Sequence, residues 1–336
     1  MTLDAAARTA TRAAAADRAR VRTGTALVAL SAASFGGMPI IAKLVYADGS
    51  SAIGLLATRF TIAGLILLLL ARWRGESLPR GRMLLSLLAL GGVGYAGESL
   101  CYFLALDHAS AGVVALLLYL YPVLVVLLMA ATARQRPSRL TVGCLLAAVA
   151  GSALTVGPSG GADAIGVTLG LSAAAAYALY IALSGRVLGH RSAVGPLMTS
   201  AVLMAAAGVT DDGLALATRA DLPAHASGWI GVLGVALICT VVAVTALLAG
   251  LARIGPARAS ILSTLEPVVS VALGVAVLGE PMSAVQACGA VLVLTGVVVL
   301  AVRGTGAGAD RPASAAGTDR RGTGAAPAPS ATAPHR

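Results

Sequence analysis

The chain has little charge, few aromatic side chains and no phosphate-binding loop. Charged residues make up 11% of its 336 positions, whereas 58% are hydrophobic and the mean hydropathy is +0.89. Soluble domains carry about 25% charged residues, so a soluble fold could not hide this much apolar surface from water. The sequence also lacks G-x-x-x-x-G-K-[ST], the usual motif of ATP-driven pumps. The composition therefore predicts an integral membrane protein that is not driven by ATP.

Metal and cofactor chemistry is also poorly represented. The four cysteines and four histidines occur at no metal-ligand spacing, and no catalytic triad pattern is visible. The segment GVGYAG at 92–97 matches G-x-G-x-x-G, but it lies inside an apolar run rather than after a strand. We therefore predict no metal, no cofactor and no enzyme activity.

The apolar runs are long enough to count membrane crossings. About 20 residues cross a hydrocarbon core of roughly 30 Å. We predict an all-α protein with ten transmembrane helices, the seventh being the weakest because it is short and rich in Ala and Gly. The predicted helices lie near 24–45, 52–71, 83–105, 111–131, 139–157, 164–184, 193–210, 228–250, 257–278 and 282–302.

The charges between these runs predict the topology. With both termini in the cytoplasm, the cytoplasmic segments hold 21 of the 24 basic residues, and the outer loops hold Arg219 against seven acids. The positive-inside rule thus predicts a multi-pass protein of the plasma (inner) membrane with both termini cytoplasmic. The net charge of +10 then reflects retained loops and not a nucleic-acid partner.

The two ends of the chain predict tails. Residues 1–23 are rich in Ala, Thr and Arg, and 303–336 is a mixture of Gly, Ala, Pro and Ser, so neither can bury a core. We predict that both are disordered and cytoplasmic. A cleaved signal peptide is an alternative for the N-terminus, but the first apolar run is longer than the usual 7–15 residues of such a peptide.

An internal repeat relates the two halves. A shift of 145 positions sets LYLYPVLVVLL (118–128) on STLEPVVSVAL (263–273), which aligns Pro122 with Pro267, and Gly151 then meets Gly296. Residues 24–157 and 164–302 are therefore predicted to be two five-helix repeats. Because five is odd, the second repeat is inverted relative to the first, as in many secondary carriers.

The motifs resemble those of the drug/metabolite transporter superfamily, in particular carriers with two EamA-type domains. The likeness covers about 24–302 and is carried by SFGGMPIIAKLV (34–45), ATRFTIAGLILLLLAR (57–72) and ILSTLEPVVSVALGVAVLGEP (261–281). The fourth helix departs from the pattern, with Tyr121 where the repeat has Glu266. The resemblance implies transport of an amino acid, metabolite or drug, with efflux favoured, and leaves the solute open.

Polar side chains inside the predicted helices are the candidate site. A charged group at the bilayer centre costs about 2.5–3.5 kcal/mol on insertion scales, so Glu266, Glu98 and Arg59 are functional candidates. Polar and aromatic residues at helical spacing predict a central cavity. The candidate set is Glu266, Glu98, Tyr95, Tyr102, Tyr121, Ser263, Tyr177, Tyr180, Ser34, Met38 and Arg59. Two alternatives remain open: the serines could serve only helix packing, and Arg59 and Glu98 could form a structural ion pair.

The matched prolines are candidate hinges. Pro122 and Pro267 lack an N–H, so the carbonyls of Leu118 and Ser263 lose their helical partner. The helices can bend there, as alternating access requires, although a static kink is the alternative.

These features together predict a secondary carrier of a small organic solute that works by alternating access. Protons are the simplest coupling ion, with Glu266 the first residue to test. The competing interpretation is a membrane-embedded enzyme acting on a lipid-linked substrate, and a sensor or scaffold is a third. The predicted partners are a small-molecule substrate and the lipid bilayer, and the chain is predicted to be a monomer or homodimer.

Overall fold

The computed structural model describes residues 2–132, 139–156, 162–188 and 194–304. Within these ranges the protein is helical, and the single β contact is an isolated bridge between Ala109 and Ala162. In this described part of the chain, eight helices are long and apolar enough to cross a membrane, and two shorter apolar helices lie at Val142–Leu154 and Ala284–Val299. The prediction of an all-α membrane protein with ten helices is confirmed. The predicted C-terminal tail lies outside the described residues from 305 onward.

Interruptions divide several of the ten crossings into shorter helices. The first half contains α1 (Thr2–Ala47), α2 (Ala52–Trp73), α3 (Gly81–Ala89), a π-helical segment (Leu90–Tyr95), α4 (Ala96–His108), α5 (Ala111–Leu118), α6 (Tyr121–Thr132) and α7 (Arg139–Val156). The second half contains α8 (Ala164–Leu188), α9 (Pro196–Thr218), α10 (Ala226–Ala236), a π-helical segment (Leu237–Val242), α11 (Ala243–Ser263), α12 (Leu265–Leu278) and α13 (Ala284–Gly304). Within α11, Gly255 leaves the helical conformation with φ 78° and marks the turn between the eighth and ninth crossings.

Local sequence explains where several of these helices begin. The side chain of Ser51 accepts a hydrogen bond from Gly54 N, and that of Ser110 accepts one from Val113 N. Such N-caps satisfy amide donors that have no partner inside the helix. The helices α2 and α5 therefore begin directly after a serine.

The two halves share their irregularities. Both the third and the eighth crossing contain a π-helical segment, at Leu90–Tyr95 and Leu237–Val242. The fourth crossing is interrupted between α5 and α6, and the ninth is interrupted at Thr264, three residues before the matched prolines in each case. Irregularities at equivalent positions support the two-repeat organisation that the sequence predicts.

Helix pairing follows the same symmetry. The second crossing packs along the seventh (α2 on α9), the fifth along the tenth (α7 on α13), the first along the eighth (α1 on α11) and the third along the sixth (α4 on α8). Exchanging the halves maps each of the first two pairs onto itself and interchanges the last two. Two repeats that are related by a pseudo-two-fold axis give this pattern.

Several helices differ from the predictions. The helix α1 begins at Thr2, whereas a disordered tail was predicted over 1–23; Ala and Arg are strong helix formers, which favours continuation of the helix. The helix α9 extends to Thr218, so Asp211 and Asp212 lie within a helix and not in an outer loop. The fourth and ninth crossings, predicted as single helices over 111–131 and 257–278, are divided between α5 and α6 and at Thr264.

The two ends of the bundle differ in charge. One end, here called the acidic end, contains the loops with Asp48, Asp163, Asp221 and Glu280, and it is held together by loop contacts. Asp48 Oδ2 accepts a hydrogen bond from His225 N at 3.1 Å, and Ser51 N donates to Asp221 O at 3.0 Å. The opposite end carries Arg72, Arg74, Arg80 and Arg82 and is called the arginine-rich end.

Candidate functional site

A cavity of about 140 Å³ lies among the interrupted helices. That volume holds several water molecules or a small solute in this conformation. Five of the seven tyrosines line it. The complete lining is Ser31, Ala32, Phe35, Met38, Arg59, Tyr95, Glu98, Ser99, Tyr102, Phe103, Leu118, Tyr119, Tyr121, Tyr177, Leu247, Ser263 and Glu266.

Nine of the eleven candidate residues from the sequence line this cavity. They come from the first four crossings and from the sixth and ninth: Met38, Arg59, Tyr95, Glu98, Tyr102, Tyr121, Tyr177, Ser263 and Glu266. Ser34 is buried outside the lining. Tyr180 lies one helical turn beyond the cavity, where its ring stacks on Tyr177 at 5.9 Å between centroids.

The aromatic rings form a continuous wall. Tyr121 lies 4.6 Å from Tyr177, and Tyr180 lies 5.6 Å from Tyr95, measured between ring centroids. Tyr95 in turn contacts the edge of Phe60 at 5.4 Å. Rings at these distances and tilts attract one another beyond their buried area. The wall is therefore a defined surface on which a planar or cationic group could rest.

Arg59 is the buried cation of the site. It is 1% exposed, its Nε donates to Thr240 Oγ1 at 2.9 Å, and its guanidinium lies 4.5 Å from the centre of the Phe60 ring. Its Nη1 is buried with no hydrogen-bond partner in the described part of the chain. A buried donor without a partner is costly, so this atom is a ready binding point for an acceptor.

Glu98 is the first of two carboxylates on the wall. It is 6% exposed and accepts a hydrogen bond from Ser99 Oγ at 3.1 Å. Over the residues that the structure describes, no ion pair within 4.0 Å joins it to Arg59, because the arginine reaches Thr240 on the eighth crossing instead. Arg59 and Glu98 therefore do not form a structural ion pair in this conformation.

Glu266 is the second carboxylate and lies at the interruption of the ninth crossing. Pro267 follows it, so the carbonyl of Ser263 has no N–H four residues ahead. The Tyr119 hydroxyl, from the interruption of the fourth crossing, donates to this carbonyl and also lies 3.1 Å from Glu266 Oε2. The matched interruptions thus meet each other at the cavity wall.

The cavity is closed toward the acidic end. There the outer half of the fourth crossing, α5, packs on the outer half of the ninth, α12. Glu280 Oε1 accepts a hydrogen bond from Ala111 N at 2.9 Å and lies 3.3 Å from Lys43 Nζ, which joins three crossings. No comparable packing joins α6 to α11 over the parts of these helices that are described. Over the described residues, the fourth and ninth crossings therefore pack closely at the acidic end and less closely at the arginine-rich end.

Sequence reasoning missed two buried polar groups near the site. Thr240 holds Arg59 from a π-helical segment 181 positions away, and no periodicity signals that contact. Asp211 is 1% exposed within α9, and its Oδ2 has no partner among the described residues. The sequence did contain a signal for Asp211, because an acidic residue in an apolar run is a candidate functional residue. The pair Asp211 and Asp212 was instead interpreted as the end of a helix.

The described residues contain no group of three or more His, Cys, Asp or Glu side chains placed to hold a metal ion. What the cavity offers is charge of both signs on an aromatic wall. It can bind a solute through hydrogen bonds, ion pairs and ring contacts, and its carboxylates can take up protons.

Comparison with known proteins places the chain among transporters. The model of the EamA-like transporter family matches residues 22–157 and 164–302. An uncharacterized transporter, YcbK of Bacillus subtilis (strain 168), is 28% identical over 81% of this chain and 92% of its own length. The uncharacterized inner membrane transporter YicL of Salmonella typhimurium (strain LT2) is 26% identical over 84% of this chain and 96% of its own. A solved crystal structure with 20% identity has a TM-score of 0.61, covering 84% of this chain and 98% of that one, which is a likeness of fold alone.

Proposed function

Because the chain belongs to the EamA-like transporter family, we propose that it is a secondary active carrier that exports a small organic solute, with protons as the coupling ion. The main observation that supports this proposal is the cavity at the junction of the two interrupted helices. It combines two carboxylates, Glu98 and Glu266, with an N–H of Arg59 that has no partner among the described residues. Charges inside a membrane bundle are expensive and persist where they serve a solute or ion path.

The lining also supports a class of solute. Arg59 suits an anionic group, the two carboxylates suit a cationic group, and the tyrosines suit a planar or apolar body. A small zwitterionic molecule, such as an amino acid, satisfies all three, and a cationic metabolite or drug satisfies the last two. A purely apolar solute would leave the buried polar groups without partners.

The packing supports alternating access. The acidic end is sealed by the α5 to α12 contact and by Glu280, whereas α6 and α11 do not pack on each other over their described residues. With the arginine-rich end in the cytoplasm, as the positive-inside rule favours, this conformation opens inward. The interruptions at Thr264 and between α5 and α6 are places where the bundle can change its closed end.

A binding screen followed by counterflow tests the proposal. Amino acids, nucleosides and cationic drugs are screened for thermal stabilisation of the purified protein, since a bound solute stabilises the folded state. Each stabilising solute is then tested for counterflow in proteoliposomes. We expect saturable counterflow for at least one of them, because a carrier exchanges its solute without an energy source.

A matched pair of variants ties the transport to the cavity. Met38→Trp fills the cavity, whereas Leu69→Trp adds the same ring on a surface that is 62% exposed in the bundle and faces lipid. Counterflow should be lost in the first and kept in the second. Loss in both, or chemical conversion of the solute without translocation, would contradict the proposal, and conversion would favour the enzyme alternative.

A further inference from the structure

One tyrosine hydroxyl connects the interruptions of the two repeats. Tyr119 lies at the break between α5 and α6, and its hydroxyl reaches the break between α11 and α12 on the other repeat. There it contacts two acceptors, the Ser263 carbonyl and Glu266 Oε2. The hydroxyl of Ser263 itself is occupied, since it donates to Ala259 O at 3.0 Å.

A phenol has a single proton, so it cannot donate to both acceptors at full strength. When Glu266 is protonated, its own O–H can donate to the Tyr119 oxygen, and the phenolic proton is free for the Ser263 carbonyl. When Glu266 is ionised, it has no proton to give and competes for the phenolic one. Hydrogen bonds to a charged acceptor are roughly twice as strong as neutral ones, so Tyr119 donates its proton to the carboxylate and not to the carbonyl.

The Ser263 carbonyl then loses its hydrogen bond from Tyr119. Pro267 has already removed its helical partner, so loss of the Tyr119 bond leaves it unpaired within the membrane. A buried carbonyl without a donor is unfavourable, and the break around Thr264 must rearrange to find one. Protonation of a side chain is thereby connected to the backbone at a hinge.

We propose that Tyr119 transmits the protonation state of Glu266 to the interruption of the ninth crossing and so couples proton binding to the change of access. This role rests on the proposed function of a proton-coupled carrier and names a positioning residue within it. In the carrier without solute, protonated Glu266 keeps the break in its present arrangement, and ionised Glu266 releases it. The matched position of Tyr119 in the second repeat is Thr264, whose hydroxyl donates to Ile261 O of the preceding turn, so among the described residues only the first repeat provides this link.

Other charged and titratable groups share the cavity with Glu266. They are Arg59 from α2, Tyr95, Glu98 and Tyr102 from the third crossing, Tyr119 from the interruption of the fourth, Tyr121 from α6 and Tyr177 from α8. The lining residues of α1 and α11 carry no ionisable side chain. Arg59 is committed to Thr240 by its Nε, and Glu98 to Ser99. Tyr119 alone among the cavity tyrosines bridges Glu266 and a backbone carbonyl in the described residues.

The test follows two signals in the full chain held in lipid nanodiscs without any solute. Infrared difference spectra between acidic and alkaline pH report the carboxyl of Glu266, assigned by its loss in Glu266→Gln. Hydrogen exchange of the backbone amides of 261–271 is expressed relative to the intrinsic rate of an unprotected amide at the same pH, and all exchange levels below are these relative values. In the wild type, exchange of this segment should rise about two- to tenfold as Glu266 ionises, as expected for loss of one hydrogen bond.

Two tyrosine variants separate transmission from packing. Tyr119→Phe keeps the ring and should leave the Glu266 titration visible while exchange of the segment no longer follows pH. Tyr46→Phe is the control, because the Tyr46 hydroxyl also donates to a carbonyl of another helix, Phe103 O, at 3.1 Å but lies outside the cavity. It should keep the wild-type response. A full response in Tyr119→Phe would overturn the proposal.

A second variant covers the case in which Tyr119→Phe does not fold. The amide of Glu266→Gln donates as the protonated acid does, so its segment should stay at the acid level of exchange at every pH. A wild-type pH response in that variant would also overturn the proposal. Neither signal requires a solute. Failure of counterflow, with the pH response of exchange in 261–271 intact, would therefore contradict the transport function and not the link through Tyr119.

Discussion

Replacement of Gly36 by alanine probes the contact between the first crossing and the ninth at the level of single atoms. A Cβ built on Gly36 would lie 2.6 Å from Glu266 O and 2.8 Å from Val269 Cβ. The carbonyl is backbone and cannot rotate away, so α1 and α12 would have to separate. The Gly36 carbonyl also accepts a hydrogen bond from Ser270 Oγ at 2.8 Å, and that bond would lengthen.

The cost can be separated from helix propensity by the neighbouring glycine. Overpacking typically costs about 1–3 kcal/mol. Alanine in place of glycine gains up to about 1 kcal/mol of helix propensity. Gly37→Ala receives the same gain, but its Cβ would meet only Leu273 Cδ1 at an ordinary 3.8 Å. The difference between the two variants should therefore be about 1–3 kcal/mol, with Gly36→Ala the less stable.

The assay is equilibrium unfolding of both variants in mixed detergent micelles, with the wild type alongside. Gly37→Ala should equal or exceed the wild type, and Gly36→Ala should fall below it. Equal stability of the two variants would refute the reasoning, because it would mean that α1 and α12 do not approach as closely as described.

Two further predictions concern the acidic end. Glu280→Ala should lower the free energy of unfolding by about 1–2 kcal/mol in the same assay, and by more than Lys43→Met, because only the first removes the acceptor of Ala111 N; equal losses would contradict it. The pKa of Asp48 is lowered, chiefly because the backbone N–H of His225 donates to it, so its contribution is present at neutral pH and lost as the pH falls through that lowered pKa. Protection of the His225 amide, measured relative to the intrinsic exchange rate at each pH, should therefore fall in acid, and Asp48→Asn should show low protection at every pH.

The crossings could be predicted from the sequence because the bilayer sets their length. The ten apolar runs correspond to the ten crossings, and the matched prolines marked where the fourth and ninth crossings are interrupted. The exact bounds of α9 could not be predicted, because Asp211 and Asp212 are signals for a helix end. In the structure Asp212 Oδ2 accepts from Thr61 Oγ1 at 2.7 Å, so a neighbouring helix supplies the partner that the sequence does not reveal.

The cavity was accessible to prediction through its charges and tyrosines, since a polar face in lipid must point inward. The contacts that its residues make with other helices could not be predicted. The contact of Arg59 with Thr240 and that of Tyr119 with Ser263 both join the two repeats over more than 140 positions. Helical periodicity gives the face of a residue and not its partner on another helix, so a pairing of Arg59 with Glu98 was as plausible as the one observed.

The most direct test of proton coupling compares two modes of transport in one variant. A solute identified by stabilisation is measured in proteoliposomes for accumulation driven by a proton gradient and for counterflow without a gradient. Because glutamine cannot exchange a proton, Glu266→Gln should lose gradient-driven accumulation and keep counterflow. Undiminished accumulation by Glu266→Gln would contradict the assignment of Glu266 as the coupling carboxylate.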